Sequence, residues 1–518
     1  MTSLHSRYDP WGEAEKYLDS LHLGASIKYF ILVEPGKGYL VPILQRRFPQ
    51  AKIVILHAVS PPAEGYEGVP VWHPGCGTSA AQFLEKEIPD TEAGAVKLIE
   101  WRPALALYGR ACLELLKGAA NFIRRADANA RTLRVFGRRW ARNFFRNLGF
   151  PFDFIEGKAV SGPIVITGSG PGLEDALPLI RAMEPRPLIL AASSSVSALY
   201  AGGLMPDLVI STDGGGWALT HLRECLRYPG GAKPGAGGNI RTPFLLALNL
   251  CAALPSQCAE TPVIALNDGS LWQSIVFRGL GIPSLTVPSR GTVTASALDL
   301  ALALGAGPVF LCGMDLAVRD IRTHARPYGF DFLTRDRATR LSPLYSLAFT
   351  RAGELKGGKS HDIYAAWFDD ARRSWPGRIF SLGANHPVFD GLKIPGPDEK
   401  SRSPAGGFAA GGPAAAGFPF DGPPAENGHG SADQNGGAPS APPSPGGVRP
   451  GTAVPDPRRN NPADRAALAA EILTRALRDP AFAAPLMKEL VPLLFPGKNE
   501  APRDEAAAAL TAMVRRGK

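Results

Sequence analysis

Between residues 162 and 316 the chain repeats one rhythm, and that rhythm leaves few folds open. Short apolar runs at Ile164–Thr167, Leu188–Ala191, Leu208–Thr212, Phe244–Leu248, Pro262–Leu266, Ser284–Val287 and Val309–Cys312 read as strands. Helical spacing lies between several of them, clearest at Leu271–Leu280 and Val293–Leu304. Apolar strands alternating with helices predict an α/β fold with a mainly parallel sheet covered on both faces. Ligands of such sheets bind outside the carboxyl ends of the strands. Small and polar residues gather at those ends: Gly168 to Gly172, Thr212-Asp213-Gly214, Asn267-Asp268-Gly269, Ser289-Arg290-Gly291-Thr292 and Gly313-Met314-Asp315. Five polar turns along one sheet edge predict a pocket there.

The first of these turns is the most pointed. Ile164 to Ile166 runs into Thr167-Gly168-Ser169-Gly170-Pro171-Gly172, and an apolar helical segment, Leu173 to Met183, follows. Its glycines let the backbone approach a ligand closely, and the helix start points N–H groups at the loop, as a phosphate requires. An ordinary strand-to-helix turn has the same composition. No Lys-Ser or Lys-Thr follows the glycines, so this is not a Walker loop, and Gly168, Gly170 and Gly172 do not have the dinucleotide spacing. Pro178 predicts a kink or a late helix start.

The flanks are organised differently. Residues 1–60 read as a small βαβ piece, with helical spacing from Trp11 to Leu23, strands at Tyr29–Val33 and Lys52–His57, and a glycine turn, Glu34 to Tyr39, that reads as structural. Residues 61–120 show no clear pattern. Residues 121–148 hold eight arginines against one acid, Asp127, with Trp140, Phe144, Phe145 and Leu148 on one helical face. The bland reading is a solvated surface helix; the functional one is a basic helix beside an acidic partner. Residues 396–462 are rich in Gly, Pro, Ala and Ser and read as a disordered linker, because they cannot bury enough surface to offset their ordering entropy. Helices follow at Asp464–Leu477 and Asp504–Arg515. The expected units are therefore 1–150, 160–395, 396–462 and 463–518.

The 58 glycines and 49 prolines of the 518 residues fit such a linker. Six scattered cysteines form no CxxC pair, so neither a disulfide framework nor a zinc site is read. A net charge of +9 gives no ground for a nucleic-acid partner. No apolar run is long enough to span a membrane and no signal peptide is read, so the expectation is a reduced, cytoplasmic protein.

Several motifs then occur together and in order: Gly168-Ser169-Gly170-Pro171-Gly172-Leu173; Gly202 through Asp213; Ala301 to Ala306; and Gly313-Met314-Asp315-Leu316-Ala317 followed by Thr323-His324-Ala325. This set resembles the motility accessory factor (Maf) family, also described as MptE-like, over 160–395 and weakly over 1–60. The central part is distantly similar to bacterial CMP-sialic-acid transferases. The resemblance implies a Rossmann-like glycosyltransferase that moves a nonulosonic acid from a CMP-activated donor to Ser/Thr of flagellin, with no tightly bound cofactor. Gly172 stands where the family usually has Ser, and Gly214 where Pro is common.

Such a transferase must hold a CMP-sugar, stabilise an oxocarbenium-like transition state and deprotonate an acceptor hydroxyl. Donor binding is assigned to Gly168, Ser169, Gly170, Pro171, Gly172, Asn267, Ser289, Gly291, Thr292 and Gly313. His324 is the candidate base, because an imidazole titrates near neutrality, with His361 and His386 as rivals. Asp213 and Asp315 are expected to bond ribose or sugar; without a paired acid they are not read as metal ligands. Two other readings stay open, an ATP- and Mg²⁺-dependent pterin diphosphokinase and a non-catalytic flagellin assembly factor.

Overall fold

The computed structural model describes residues 4–515 except 60–65, 156–159, 228–232, 235–239, 242–243, 256–257, 259–260, 262, 357–363, 366, 370, 373–374, 376, 384–387, 390, 393–458, 497 and 499. His361, His386 and the linker up to 458 lie outside the described residues.

The N-terminal sheet has four strands, β1 (Tyr29–Val33), β2 (Lys52–Leu56), β3 (Val71–Trp72) and β4 (Val96–Glu100), all parallel, in the order β3-β2-β1-β4. Helices α1 (Pro10–Ser20), α2 (Leu40–Arg47) and α3 (Ala80–Glu87) accompany it. The glycine turn after β1 is structural, as expected: the Lys37 N–H donates to His5 Nε2 at 2.9 Å, and the His5 ring lies against Tyr39 and Trp101.

A 46-residue helical segment, α4 (Arg102–Asn147), kinked at Gly109, then leaves this sheet. Its first half packs Ala104, Cys112, Leu116, Ala119 and Phe122 into the N-terminal core. Its second half packs Ala141, Phe144 and Phe145 into the core of the next sheet, and Leu148 joins them just past the helix end. The boundary near 150 thus falls at the end of an element shared by two cores. Four-residue spacing of small and apolar side chains keeps one face of α4 buried along its length, while the arginines line the others.

The large sheet has ten strands. These are β5 (Phe152–Asp153), β6 (Ile164–Thr167), β7 (Leu188–Ala192), β8 (Leu208–Ser211), β11 (Leu245–Asn249), β12 (Val263–Asn267), β13 (Leu285–Thr286), β14 (Val309–Cys312), β15 (Ile379–Leu382) and β16 (Gly391–Leu392). A separate antiparallel ribbon joins β9 (Lys233–Pro234) to β10 (Ile240–Arg241). The order is β13-β12-β11-β8-β7-β6-β14-β15-β16, with β5 against β12, and every pair is parallel. Both faces are covered, and the strand residues divide accordingly. Val165 enters one apolar cluster, Ile164 and Ile166 the other. The first face carries α5 (Gly172–Ala182), α6 (Val196–Ala201), α7 (Ala218–Arg227) and α8 (Leu271–Leu280); the second carries α9 (Val293–Leu304). α5 starts at Gly172 and runs through Pro178, so it does not begin late.

The C-terminal segment, read from the sequence as short helices, packs against the central unit. Its helices α12 (Pro462–Arg478), α13 (Pro480–Leu494) and α14 (Arg503–Arg515) bury Leu468, Leu473, Leu486, Leu490 and Leu510 in the same core as β7, α4 and α8. The Glu489 carboxylate accepts from the Leu271 and Trp272 N–H groups at 3.0 and 2.9 Å, capping α8. An acid there satisfies orphan donors and meets the positive end of the helix dipole. Two short helices, α10 (Asp331–Arg337) and α11 (Leu344–Lys356), stand in the excursion between β14 and β15.

Candidate functional site

From β6 the strands extend one way to β7, β8, β11, β12 and β13, and the other way to β14, β15 and β16. The order reverses between β6 and β14, where a sheet of this type opens its crevice. The Gly168–Gly172 loop follows one of these strands and the Gly313–Asp315 turn the other.

Here the structure corrects the phosphate-loop expectation. Three of the loop's four N–H groups are already used: Gly168 donates to Cys312 O at 2.8 Å, Gly170 to Gly313 O at 2.6 Å, and Gly172 to Asp315 Oδ2 at 2.9 Å. The Asp315 carboxylate thus occupies the helix start where a phosphate would bind. Burial raises its pKa, and the Gly172 bond only partly opposes that rise. The glycines are there because the two turns nearly touch. A Cβ on Gly170 would lie 2.2 Å from Asp315 Oδ2, and one on Gly313, whose φ is +63°, would lie 2.3 Å from Gly168 O. The first turn of α5 adds Glu174 and Asp175, which pair with Arg322 and Arg319.

Beyond these ion pairs lies a cavity of about 180 Å³, lined mainly by the 321–351 excursion. His324 is on its wall. The Ala325 N–H donates to Ser169 O at 2.8 Å, which fastens the excursion to the glycine loop. His324 Nδ1 lies 2.9 Å from Thr323 Oγ1, and its ring stacks on Tyr328 at 3.9 Å with 5° between planes. Burial pushes the Tyr328 hydroxyl up to about 12, so it stays a neutral donor. Arg322, Arg326, Arg335 and Arg351 face one acid, Asp331, around the cavity. Arg322 spends its charge on Glu174. Among the described residues no ion pair engages the other three, and unpaired guanidinium groups converging on an aromatic wall suit an anionic ligand. The volume is below the roughly 300–1,000 Å³ of whole-ligand pockets, so one charged, ring-sized moiety of a larger ligand fits it.

Sequence reasoning missed His221. It sits on α7, its ring 4.6 Å from Phe330 and 5.2 Å from Tyr328, while Trp217 meets Phe330 at 5.6 Å. No local signal marks it, because its partners lie about a hundred residues away in the chain. Burial lowers its pKa to about 4, and the Asp213 carboxylate only partly opposes this. Asp213 itself is exposed, and its Oδ1 accepts the Gly215 N–H. The folded pKa of His221 lies below the unfolded value near 6.5, so the unfolded chain takes up the proton first. Its contribution to stability is therefore present above pH 6.5 and is lost as pH falls towards 4, by at most about 3 kcal/mol. His221→Phe should flatten the urea midpoint between pH 7.5 and 5; an unchanged slope would refute this.

The remaining assignments separate. Asn267 Oδ1 accepts the Gly269 N–H and its Nδ2 donates to Ser274, so its amide is committed to its own turn. β12 is also four strands from β6, on the order of 19 Å. Thr292 caps α9 through the Ala295 N–H and pairs with Thr294, Gly291 has a left-handed φ of +77°, and Ser289 is exposed. The structure brings together Gly168, Ser169, Gly170, Pro171, Gly172, Gly313, Asp315 and His324; among the described residues no contact joins Asn267, Ser289, Gly291 or Thr292 to that group.

The basic helix also has a role its arginines did not reveal. Asn143 Nδ2 donates to Gly214 O and Cys251 O, Asn147 Nδ2 to Leu250 O and Ala252 O, and Arg146 to Leu254 O. α4 therefore braces the loops after β8 and β11. Among the described residues no three His, Cys, Asp or Glu side chains are placed to hold a metal ion. No helix there is long and apolar enough to cross a membrane.

Residues 138–320 match the model of the family described as 6-hydroxymethylpterin diphosphokinase MptE-like. The match is confined to this central segment and ends before His324 and the arginine cavity. An uncharacterized protein of Treponema pallidum (strain Nichols) is 28% identical over 308 residues, 60% of this chain and 64% of that protein. The chain thus spans less than two thirds of the curated relative's length. The solved structure of a MAf glycosyltransferase from Magnetospirillum magneticum AMB-1 aligns over 98% of this chain and 77% of that one, with a TM-score of 0.44 and 13% identity. Likeness at that level transfers neither fold nor activity.

Proposed function

We propose that this chain is a glycosyltransferase that moves a nonulosonic acid from its CMP-activated form to a Ser/Thr hydroxyl of flagellin. One observation carries the reading: a cavity beside the switch point joins three uncompensated arginines, a stacked aromatic wall and a histidine. The motif resemblance supplies the substrate class. In this reading the arginines, not the glycine loop, receive the donor's negative charge. The bond from the sugar to the CMP phosphate breaks, the acceptor oxygen attacks the sugar carbon, CMP leaves with the electron pair, and His324 takes the hydroxyl proton. Guanidinium groups fixed beside a leaving phosphate favour the transition state because its charge grows there.

The family description favours a second reading, transfer of diphosphate from ATP to a pterin. The two separate by ligand. CMP should raise the melting temperature more than ATP with Mg²⁺, because a ligand that binds only the native state stabilises it. Arg351→Glu should remove the CMP shift without lowering the melting temperature of the free protein. A larger shift with ATP and Mg²⁺ would overturn the glycosyltransferase reading. In the assembly-factor reading, neither ligand shifts the melt and His324→Ala keeps function.

A further inference from the structure

We propose that the outward aromatic stripe of α11 docks an acidic polypeptide that carries the acceptor hydroxyl; the identity of that acceptor rests on the transferase reading above. Leu344, Ala348 and Arg351 of α11 line the cavity. One position further along each turn, Tyr345 and Phe349 point away from it, four residues apart, with rings stacked at 6.4 Å. They are 66% and 62% exposed, and Leu341, just before the helix, is 94% exposed. An apolar stripe on a helix normally faces a core. Here Leu344, Ala348 and Arg351 border the cavity, while Tyr345 and Phe349 on the neighbouring stripe are left largely exposed. Grouped exposed apolar residues of this kind mark an interaction site, and Trp217, 63% exposed, stands against Phe330 on the cavity wall.

The charges choose the occupant. Arg335 and Arg337 in the last turn of α10 and Arg340 just after it stand exposed, with Asp331 and Asp336 on α10 and Glu354 on α11 as the acids of these two helices. Aromatic rings with arginines are the usual composition of a protein-binding centre. A second copy of this chain related by a two-fold axis would set these arginines near their own counterparts, which disfavours self-association. An acidic polypeptide is attracted instead. Lying along the stripe, it places its side chains at the cavity mouth, where a hydroxyl reaches His324.

The test uses purified flagellin as the probe, with binding measured by calorimetry in the absence of any sugar donor. The double variant Tyr345→Asp/Phe349→Asp should weaken flagellin binding by about 10-fold or more, with melting temperature and CMP affinity unchanged. Arg337→Glu/Arg340→Glu should weaken it too and reduce its salt dependence. Unchanged affinity in both variants, or no flagellin binding by the unaltered protein, overturns the proposal. So does loss, in the same variants, of binding to phosphatidylserine vesicles or of dimerisation in place of flagellin binding. Flagellin that binds through this face but gains no mass with CMP-nonulosonate leaves the docking surface standing and refutes the transferase reading.

Discussion

His324→Ala should leave CMP affinity nearly intact and lower transfer to flagellin by roughly 10²–10⁴-fold, the usual contribution of a general base. The split between binding and chemistry follows from the site. In the proposed reading the anionic donor is held by Arg326, Arg335 and Arg351, which do not depend on the imidazole. The excursion is anchored through the backbone of Ala325 and through the Arg319 and Arg322 ion pairs, which the substitution does not touch. The ring removed is only half-buried and stacks on Tyr328, so the cavity keeps its other walls. The measurements are CMP affinity by calorimetry and flagellin mass after reaction. Normal transfer by the variant would eliminate His324 as the base. Parallel loss of melting temperature and CMP affinity would make it structural, and His361 and His386 would then be tested.

Gly170→Val should cost the central sheet about 3 kcal/mol or more, from overpacking together with lost hydrogen bonds. The added Cβ would stand 2.2 Å from Asp315 Oδ2 and 2.8 Å from Gly313 O. Both atoms are acceptors that hold the two turns together, so relief of the clash breaks the Gly170 and Gly172 bonds. The control is Gly162→Val, where a Cβ meets nothing within 4 Å. Urea midpoints of the two variants decide the matter. Equal stability would mean that the turns can separate cheaply, and that the glycine loop is open to a ligand after all.

The strands and helices of the central unit were legible because their signals are local. Leu271–Leu280 and Val293–Leu304 form helices over those spans, and Ile164–Thr167 and Val309–Cys312 form strands. Runs of branched apolar residues, bounded by glycine and aspartate turns, encode a strand wherever the chain later places it. The parallel sheet followed from the same rhythm, as did the expectation that Gly168–Gly172, Gly313 and Asp315 lie on one edge. His324 was legible only by its closeness in sequence to the last of these turns.

What distant residues do to one another was not legible. Composition gave Gly170 and Gly172 free amides; tertiary structure spends them on a carbonyl and a carboxylate some 140 residues later. The arginines of α4 were the visible feature, yet Asn143 and Asn147 do its bracing. Glu489 is an unremarkable acid in sequence and the cap of α8 in space. Tyr328 and His221 meet only after the 321–351 excursion folds back over the sheet. By itself, then, the sequence determined the main elements of the central unit, their parallel arrangement and the edge where polar turns collect, because periodicity and turn chemistry act over a few residues. The tertiary structure alone decided which polar groups remain free at that edge, because each hydrogen-bond donor or charge can be claimed once, and the claimant comes from anywhere in the chain.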